Sequence, residues 1–206
     1  MHIVPGLKVL YFGTPVVLIS TVNPDGSANL APMSSAWWLG ESAMLGMGNS
    51  SQTAANLQRH GECVLNLASS DMADAVDRIA MTTGNPEIKP YRRTQGYVHV
   101  KDKFALGGFT RQQSDLVEPP RVKECPIQLE CRVVEGRAFD ESATGFQVRV
   151  LRAHIEDELV VPGTHYVDAR RWDPLIMKFC EFFGGGVNVR PSRLAEGWQM
   201  PVLQPQ

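Results

Sequence analysis

The sequence predicts a mainly β protein, a β-barrel with a few short helices, and three observations carry that reading. The β-branched run "PVVLISTV" ends at "NPDG", where Pro24 presets one turn dihedral and Gly26 can take a positive φ. Two further short apolar runs, "AWWLG" and "AMLGMG", are separated only by "ES", which reads as a second hairpin. In the second half, "CPIQLECRVVEG" and "GFQVRVLRAHIEDELV" are long strand candidates, the latter alternating Phe146, Val148 and Val150 with Gln147 and Arg149.

Taken in order, residues 15–32 form the first hairpin, with "SANLAP" as its return strand. After the second hairpin, "SSQTAANLQRHG" changes period: Ser50 and Ser51 are good N-cap types, Ala54, Ala55, Leu57 and Gln58 favour helix, and Gly61 can close it. "ECVLNLA" returns to strand. "DMADAVDRIA" predicts a short helix capped by Asp71, with Met72, Val76 and Ile79 on one face. Residues 81–94, with Gly84, Pro86 and Pro90, read as an irregular exposed excursion. Asp173 and Pro174 form an N-cap and N1 pair, so "LIMKFCEFFGGG" predicts a last helix from about 173 that stops at a glycine cluster. With no internal repeat and no low-complexity linker, residues 1–206 are expected as one domain with a C-terminal helix and tail.

Composition narrows the function classes. A chain of 206 residues with 43% hydrophobic and 20% charged residues matches a soluble globular domain with one substantial core. A net charge of −2 offers no basic face for nucleic acid. The run "LKVLYFGTPVVLIS" carries Lys8, is broken by Gly13 and Pro15, and has no signal-cleavage pattern, so no membrane span is expected and the cytoplasm is the expected location. Cys63, Cys125, Cys131 and Cys180 lack CxxC spacing, and the five histidines form no HExxH or Cys-His cluster, so no metal site is expected.

The junction "LGMGNSSQTAANL" leads from a strand into hydroxyl-bearing residues at a helix start. Free backbone N–H groups and the helix dipole there suit a phosphate, although ordinary N-capping explains the same serines. Neither a Walker sequence nor a GxGxxG after a strand is present. The strip "NLAPMSSAWW" raises a related question, because small residues between two strands permit either a plain bend or the close approach of something flat. Adjacent Trp37 and Trp38 point to opposite faces, one to the core and the other to an interface. Phe179, Phe182 and Phe183 read as packing groups, and Arg92-Arg93 and Arg170-Arg171 as solvated charges.

The ordered succession "PVVLISTVNPDGSANLAPMSS", "GNSSQTAANLQRHGECVLNL" and "GGFTRQQSDLVEPPRVKECPIQLECRV" resembles the flavin reductase-like family, with "FFGGGVNVRPSRLAEGW" adding to the likeness near the C-terminus. The resemblance covers roughly residues 12–135. It implies the FMN-binding split barrel, of Greek-key topology and usually homodimeric. It also implies NAD(P)H-dependent reduction of FMN, with FAD possible, and supply of reduced flavin to a partner monooxygenase component. A flavoredoxin-like electron carrier and a barrel that has lost flavin are the alternatives. Carried onto this chain, the resemblance places Met33, Ser34, Ser35 and Ala36 beside the flavin ring. It places Met47, Asn49, Ser50, Ser51, Thr53 and Asn56 around the ribityl chain and phosphate. Many relatives carry a basic residue two positions before the helix threonine, where this chain has Ser51; Arg193 or Arg190 is then the expected partner of the phosphate. No residue is expected as a catalytic acid or base, because such chemistry belongs to the cofactor.

Overall fold

A computed structural model describes residues 1–190 and 192–201. The first strand, β1 (Phe12–Pro15), is followed by β2 (Val17–Val22), β3 (Ala28–Met33), β4 (Ala36–Leu39), β5 (Ser42–Gly48) and β6 (Glu62–Leu67). Two long strands, Ile127–Ala138 and Ala143–Ile155, come later. Seven of these make one sheet in the order β3, β2, β6, Ile127–Ala138, Ala143–Ile155, β5, β4. The two edge strands of that sheet, β3 and β4, are consecutive in the chain with only Ser34 and Ser35 between them. Three peptide steps reach at most roughly 11 Å, so the sheet must curl until its edges nearly meet. The result is an open, split barrel.

The barrel interior gathers Val17 and Ile19 from β2, Leu45 and Met47 from β5, Leu65 from β6, and Phe146 and Val148. Helix α1 (Gln52–His60) adds Ala54 and Leu57 to this core. On the other face of β2, Val16 and Leu18 join Leu30 under α2 (Ala73–Ala80), whose Val76 and Ile79 are buried. Both faces of β2 are therefore covered, which is why its text is a continuous apolar run rather than an alternation. Phe104, on α4 (Lys103–Gly107), completes the second core; the short helix α3 (Pro90–Thr94) precedes it in the chain.

The expected hairpins are present. β2 pairs with β3 from Val17↔Met33 to Val22↔Ala28, and Gly26 takes φ +79° in the turn. β4 pairs with β5 across Gly40 and Glu41. Ser51 caps α1 by accepting from the Ala54 N–H, and Gly61 closes it at φ +77°. Trp38 packs against the core while Trp37 is exposed.

Three expectations differ. Asp71 does not cap α2; it is exposed in a 3₁₀ turn, Ser70–Met72, and the helix starts without a side-chain cap. The 81–94 excursion is not wholly irregular, because Thr82–Thr83 pair in parallel with Val98–His99 and α3 follows Pro86. The segment expected as a last helix is a β-hairpin, Ile176–Lys178 with Glu181–Phe183, turning through Phe179 and Cys180 at φ 49° and 67°. Two forces choose the strand. The free edge of β1 pairs with Ile176–Lys178, and Leu175, Met177 and Phe182 all reach the second core. Asp173 is no helix cap either: its carboxylate accepts from the Ser70 hydroxyl and from the N–H groups of Gly185 and Gly186. Helix α5 (Arg193–Gly197) is a separate short turn farther on.

The Asp173 clamp makes the first prediction. Ser70 and the two glycine amides hold its carboxyl below the usual range. Asp173→Asn is expected to lower stability by about 1 kcal/mol at pH 7, read by urea unfolding, because the charge strengthens three accepted hydrogen bonds. The folded pKa is lowered, so the contribution exists above the unfolded carboxyl pKa and fades as pH falls through the folded value. Equal stability of variant and wild type at pH 7 would refute it.

Candidate functional site

A cleft of about 530 Å³ opens where the barrel, α2, the 82–103 segment and the terminal hairpin meet. That is the size range of small-ligand sites. One wall is the chain crossing from β3 to β4: Pro32, Met33, Ser34 and Ser35. The crossing is laid onto β5 by a hydrogen bond from the Gly46 N–H to the Ser35 carbonyl at 2.8 Å. A Cβ on Gly46 would stand 3.3 Å from Ser35 Cβ, so any side chain here would press on the crossing. The strip of small residues thus crosses the mouth of a split barrel and lines the cleft.

The entry to α1 provides a second wall through Gly48, Ser51, Gln52 and Thr53. A buried polar network holds this helix against the first hairpin. Asn56 donates to Thr21 Oγ1 at 3.0 Å and to Asn23 Oδ1 at 2.9 Å, while Asn29 donates to Thr21 Oγ1 and Thr53 Oγ1. Gly84 packs against Asn29, where an added Cβ would lie 2.4 Å from Asn29 Oδ1.

Of the expected site residues, Met33, Ser34, Ser35, Met47, Ser51 and Thr53 share this cleft. The others lie off its wall. Ala36 is buried in the barrel core. Asn49 ties its turn to the long hairpin, donating to the Glu141 carbonyl and accepting from Thr144 Oγ1 at 2.7 Å. Ser50 faces Tyr91, its Oγ 3.2 Å from the phenol oxygen. Asn56 is spent in the network under α1. Arg193 is exposed on α5, and Arg190 is exposed outside any helix or strand.

The cations on the wall are instead Arg92 and Lys103. Lys103 is only 2% exposed, yet among the described residues it has no ion pair and no hydrogen bond. Burial, with the like charge of Arg92 adding to it, pushes its pKa down to about 8. Arg92 lies over the Tyr97 ring, 4.5 Å from its centroid, and has no carboxylate partner among the described residues. The acidic wall residue Asp77 is exposed and pairs with neither. Sequence reasoning missed both cations. Arg92 sits in a surface-like pair, and Lys103 opens "KFALGG", where only a charge heading an otherwise apolar, tightly turned segment could have marked it. Met177, Cys180 and Phe182 also line the cleft, out of reach of a reading that made their segment a helix.

Outside the cleft, Asp115, Glu130 and His154 bring potential metal-ligand atoms within 4.8 Å of one another. The Glu130 carboxylate is occupied by the N–H groups of Asp115 and Leu116 and by His154 Nε2, at 2.9, 2.6 and 2.6 Å. The trio is a structural hub. No described helix is long and apolar enough to cross a membrane.

Comparison with known proteins agrees with this architecture. The family model for the flavin reductase like domain matches residues 9–174. The chain is 38% identical over 184 residues to the uncharacterized protein YdfE of Bacillus subtilis (strain 168), covering 88% of each. Flavoredoxin of Desulfovibrio vulgaris (Miyazaki F) superposes with a TM-score of 0.78 at 19% identity, covering 95% of this chain and 100% of that one. Nitrilotriacetate monooxygenase component B from Bacillus cereus gives 0.71 at 18% identity, covering 93% and 98%. At such identities these two likenesses establish the shared fold.

Proposed function

The chain belongs to the flavin reductase-like family, and from that premise we propose that it is an FMN-dependent oxidoreductase that takes hydride from NADH or NADPH. The observation that carries this reading is the cleft itself, whose lining joins a strip of small residues, a helix entry, and a buried lysine with no hydrogen bond or ion pair among the described residues. These features fit a phosphorylated flavin. The strip admits a flat ring, the free donors near Ser51 and Thr53 suit a phosphate, and Lys103 lacks the counter-charge that such an ester carries.

A bound flavin would supply the hydride-accepting redox chemistry. The chain's own residues bind, orient and exclude water. Backbone groups of Pro32 to Ser35 offer hydrogen bonds at a planar edge, and Val16, Ile19, Met177 and Phe182 provide the apolar part of the wall. Asn29 and Asn56 hold α1 in place from outside the cleft lining. Transfer of reduced flavin to a monooxygenase component is the further proposed role, supported by the likeness to nitrilotriacetate monooxygenase component B. A homodimer is also proposed, supported by Trp37 and Leu39, which leave 57% and 75% of their surface exposed on edge strand β4. Action in the cytoplasm is part of the same reading.

Titration of the protein with FMN, followed by flavin fluorescence, is expected to saturate near one flavin per chain and to be followed by NAD(P)H oxidation that rises with added FMN. Bound flavin with poor turnover of free flavin would favour an electron carrier. Absence of binding at micromolar protein would overturn the reading. Gly46→Val tests the strip: it is expected to weaken flavin binding by at least about tenfold with an unchanged circular dichroism spectrum, because the added methyls push Ser35 into the cleft. Unaltered affinity in a folded variant would place the ring elsewhere.

A further inference from the structure

We infer that the side-chain amine of Lys103 is a carbonyl-capture site, which in the flavin-free cleft condenses with a small apolar aldehyde to form an imine. This goes beyond the flavin reading and does not depend on it. Three observations carry the inference. First, Lys103 is 2% exposed, and among the described residues its amine has neither a hydrogen bond nor an ion pair. A buried ammonium in that state is costly, so burial favours the neutral amine, whose lone pair is free to react.

Second, the surroundings offer little to hold the proton. Asp102, the preceding residue, caps α4 through the Ala105 N–H and pairs with Arg111. Arg78 of α2 donates to the Gly107 carbonyl at the far end of α4, and β3, which also packs on α4, has no charged residue. The titratable and charged groups that share the cleft lining are Asp77, Arg92, Tyr11, Tyr97 and Cys180; Asp77 is exposed and forms no ion pair among the described residues. Desolvation first, and then the charge of Arg92, bring the lysine's pKa to about 8.

Third, the amine has a cavity to react in. Lys103 lines the cleft of about 530 Å³ together with Val16, Ile19, Met177 and Phe182. Desolvated lysines in such clefts are the ones that form Schiff bases, and an apolar lining suits an aldehyde with a hydrocarbon body. The step balances without an oxidant or a reductant. The amine nitrogen adds to the carbonyl carbon, the carbonyl oxygen leaves as water with the two amine protons, and a C=N bond replaces the C=O bond.

The test incubates the full, flavin-free chain with benzaldehyde and cyanoborohydride, which reduces any imine to a stable benzylamine, and locates the adducts by peptide mass spectrometry. At pH 7 Lys103 is expected to be modified at least about tenfold faster than any other lysine, because roughly a tenth of it is neutral there against under about 0.1% of an ordinary lysine. Its rate should saturate with benzaldehyde concentration and follow a titration centred near pH 8. The exposed α-amine of Met1, of ordinary pKa near 8, serves as the reference in the same chain. In unfolding concentrations of urea, Lys103 should fall to the rate of the other lysines while Met1 keeps its own. Modification of Lys103 no faster than that of the other lysines, or at a rate that stays linear in benzaldehyde, would overturn the inference. Saturable capture at Lys103 in a chain that binds no FMN would uphold it and sink the flavin reading, and FMN binding without capture would do the reverse.

Discussion

Replacing Glu130 by alanine is expected to lower stability by about 3–5 kcal/mol at pH 7, the scale seen when one partner of a buried ionic network is removed. The residue is fully buried near the start of the long strand Ile127–Ala138. Its Oε1 accepts from the Asp115 N–H at 2.9 Å and faces His154 Nε2 at 2.6 Å, while Oε2 accepts from the Leu116 N–H at 2.6 Å. Arg121 Nε stands 4.0 Å away. Burial alone would raise the pKa, but the Asp115 and Leu116 amides and His154 outweigh it and hold the carboxyl below its ordinary value. Truncation would strand two amides and an imidazole beside an arginine. The loop they anchor would loosen where Ser20 Oγ donates to the Pro120 carbonyl at 2.5 Å. Glu130→Gln, which keeps the volume, is expected to lose less.

The pH dependence has a definite sign. A carboxyl with a lowered folded pKa contributes its stability above the unfolded value and loses it as pH falls through the folded one. Urea unfolding of the wild type should therefore weaken on acidification below the ordinary glutamate range, and the Glu130→Ala profile should be flatter there. A variant as stable as the wild type at pH 7 would mean that the network contributes nothing net. Because none of this hub lines the cleft, flavin binding should persist at temperatures where the variant stays folded.

The sequence made the barrel legible through its turns and periods. "NPDG" and the alternation at Phe146, Val148 and Val150 are local signals, and local signals survive without coordinates. The strip at Met33 to Ser35 and the entry at Ser51 and Thr53 were legible for the same reason, since both sit at junctions between elements. The terminal hairpin was not. Its residues satisfy a helical stripe as well as an alternation, and the deciding partner is the edge of β1, more than 150 residues earlier in the chain. Asp173 illustrates the trap: Asp-Pro before an apolar run is a sound cap signal, yet here the carboxylate reaches across to Ser70 and the glycine amides. The cations of the cleft were hidden for a related reason. Burial of Lys103 depends on α2 and β3 packing over α4, and spacing along the chain does not report that.

Lys103 carries the second large expected effect: its replacement should stabilise the fold where that of Glu130 destabilises it, although both groups make stability rise with pH. With its pKa near 8 in the folded chain against an ordinary 10.5, the folded state gives up the proton before the unfolded state does. Between those values the unfolded chain binds more protons, so the stability of the flavin-free protein should climb with pH, by up to about 3 kcal/mol. Lys103→Met should abolish that climb and be more stable than the wild type at pH 7 by a similar amount, because it removes the desolvated charge and keeps the apolar stem. Arg92 is the charge that bears on this titration; the other charged and titratable groups nearby are Asp77 and Tyr97 on the cleft lining, Arg78 of α2, and Asp102 and Arg111 beside α4. Asp102 caps α4 and pairs with Arg111, so it gives Lys103 no counter-ion. Parallel stability profiles for wild type and Lys103→Met from pH 7 to 10, measured by urea unfolding in chloride buffer, would show that this lysine is charged at no cost. A gain in stability joined to a loss of FMN affinity would be the mark of a residue kept for its ligand at the expense of the fold.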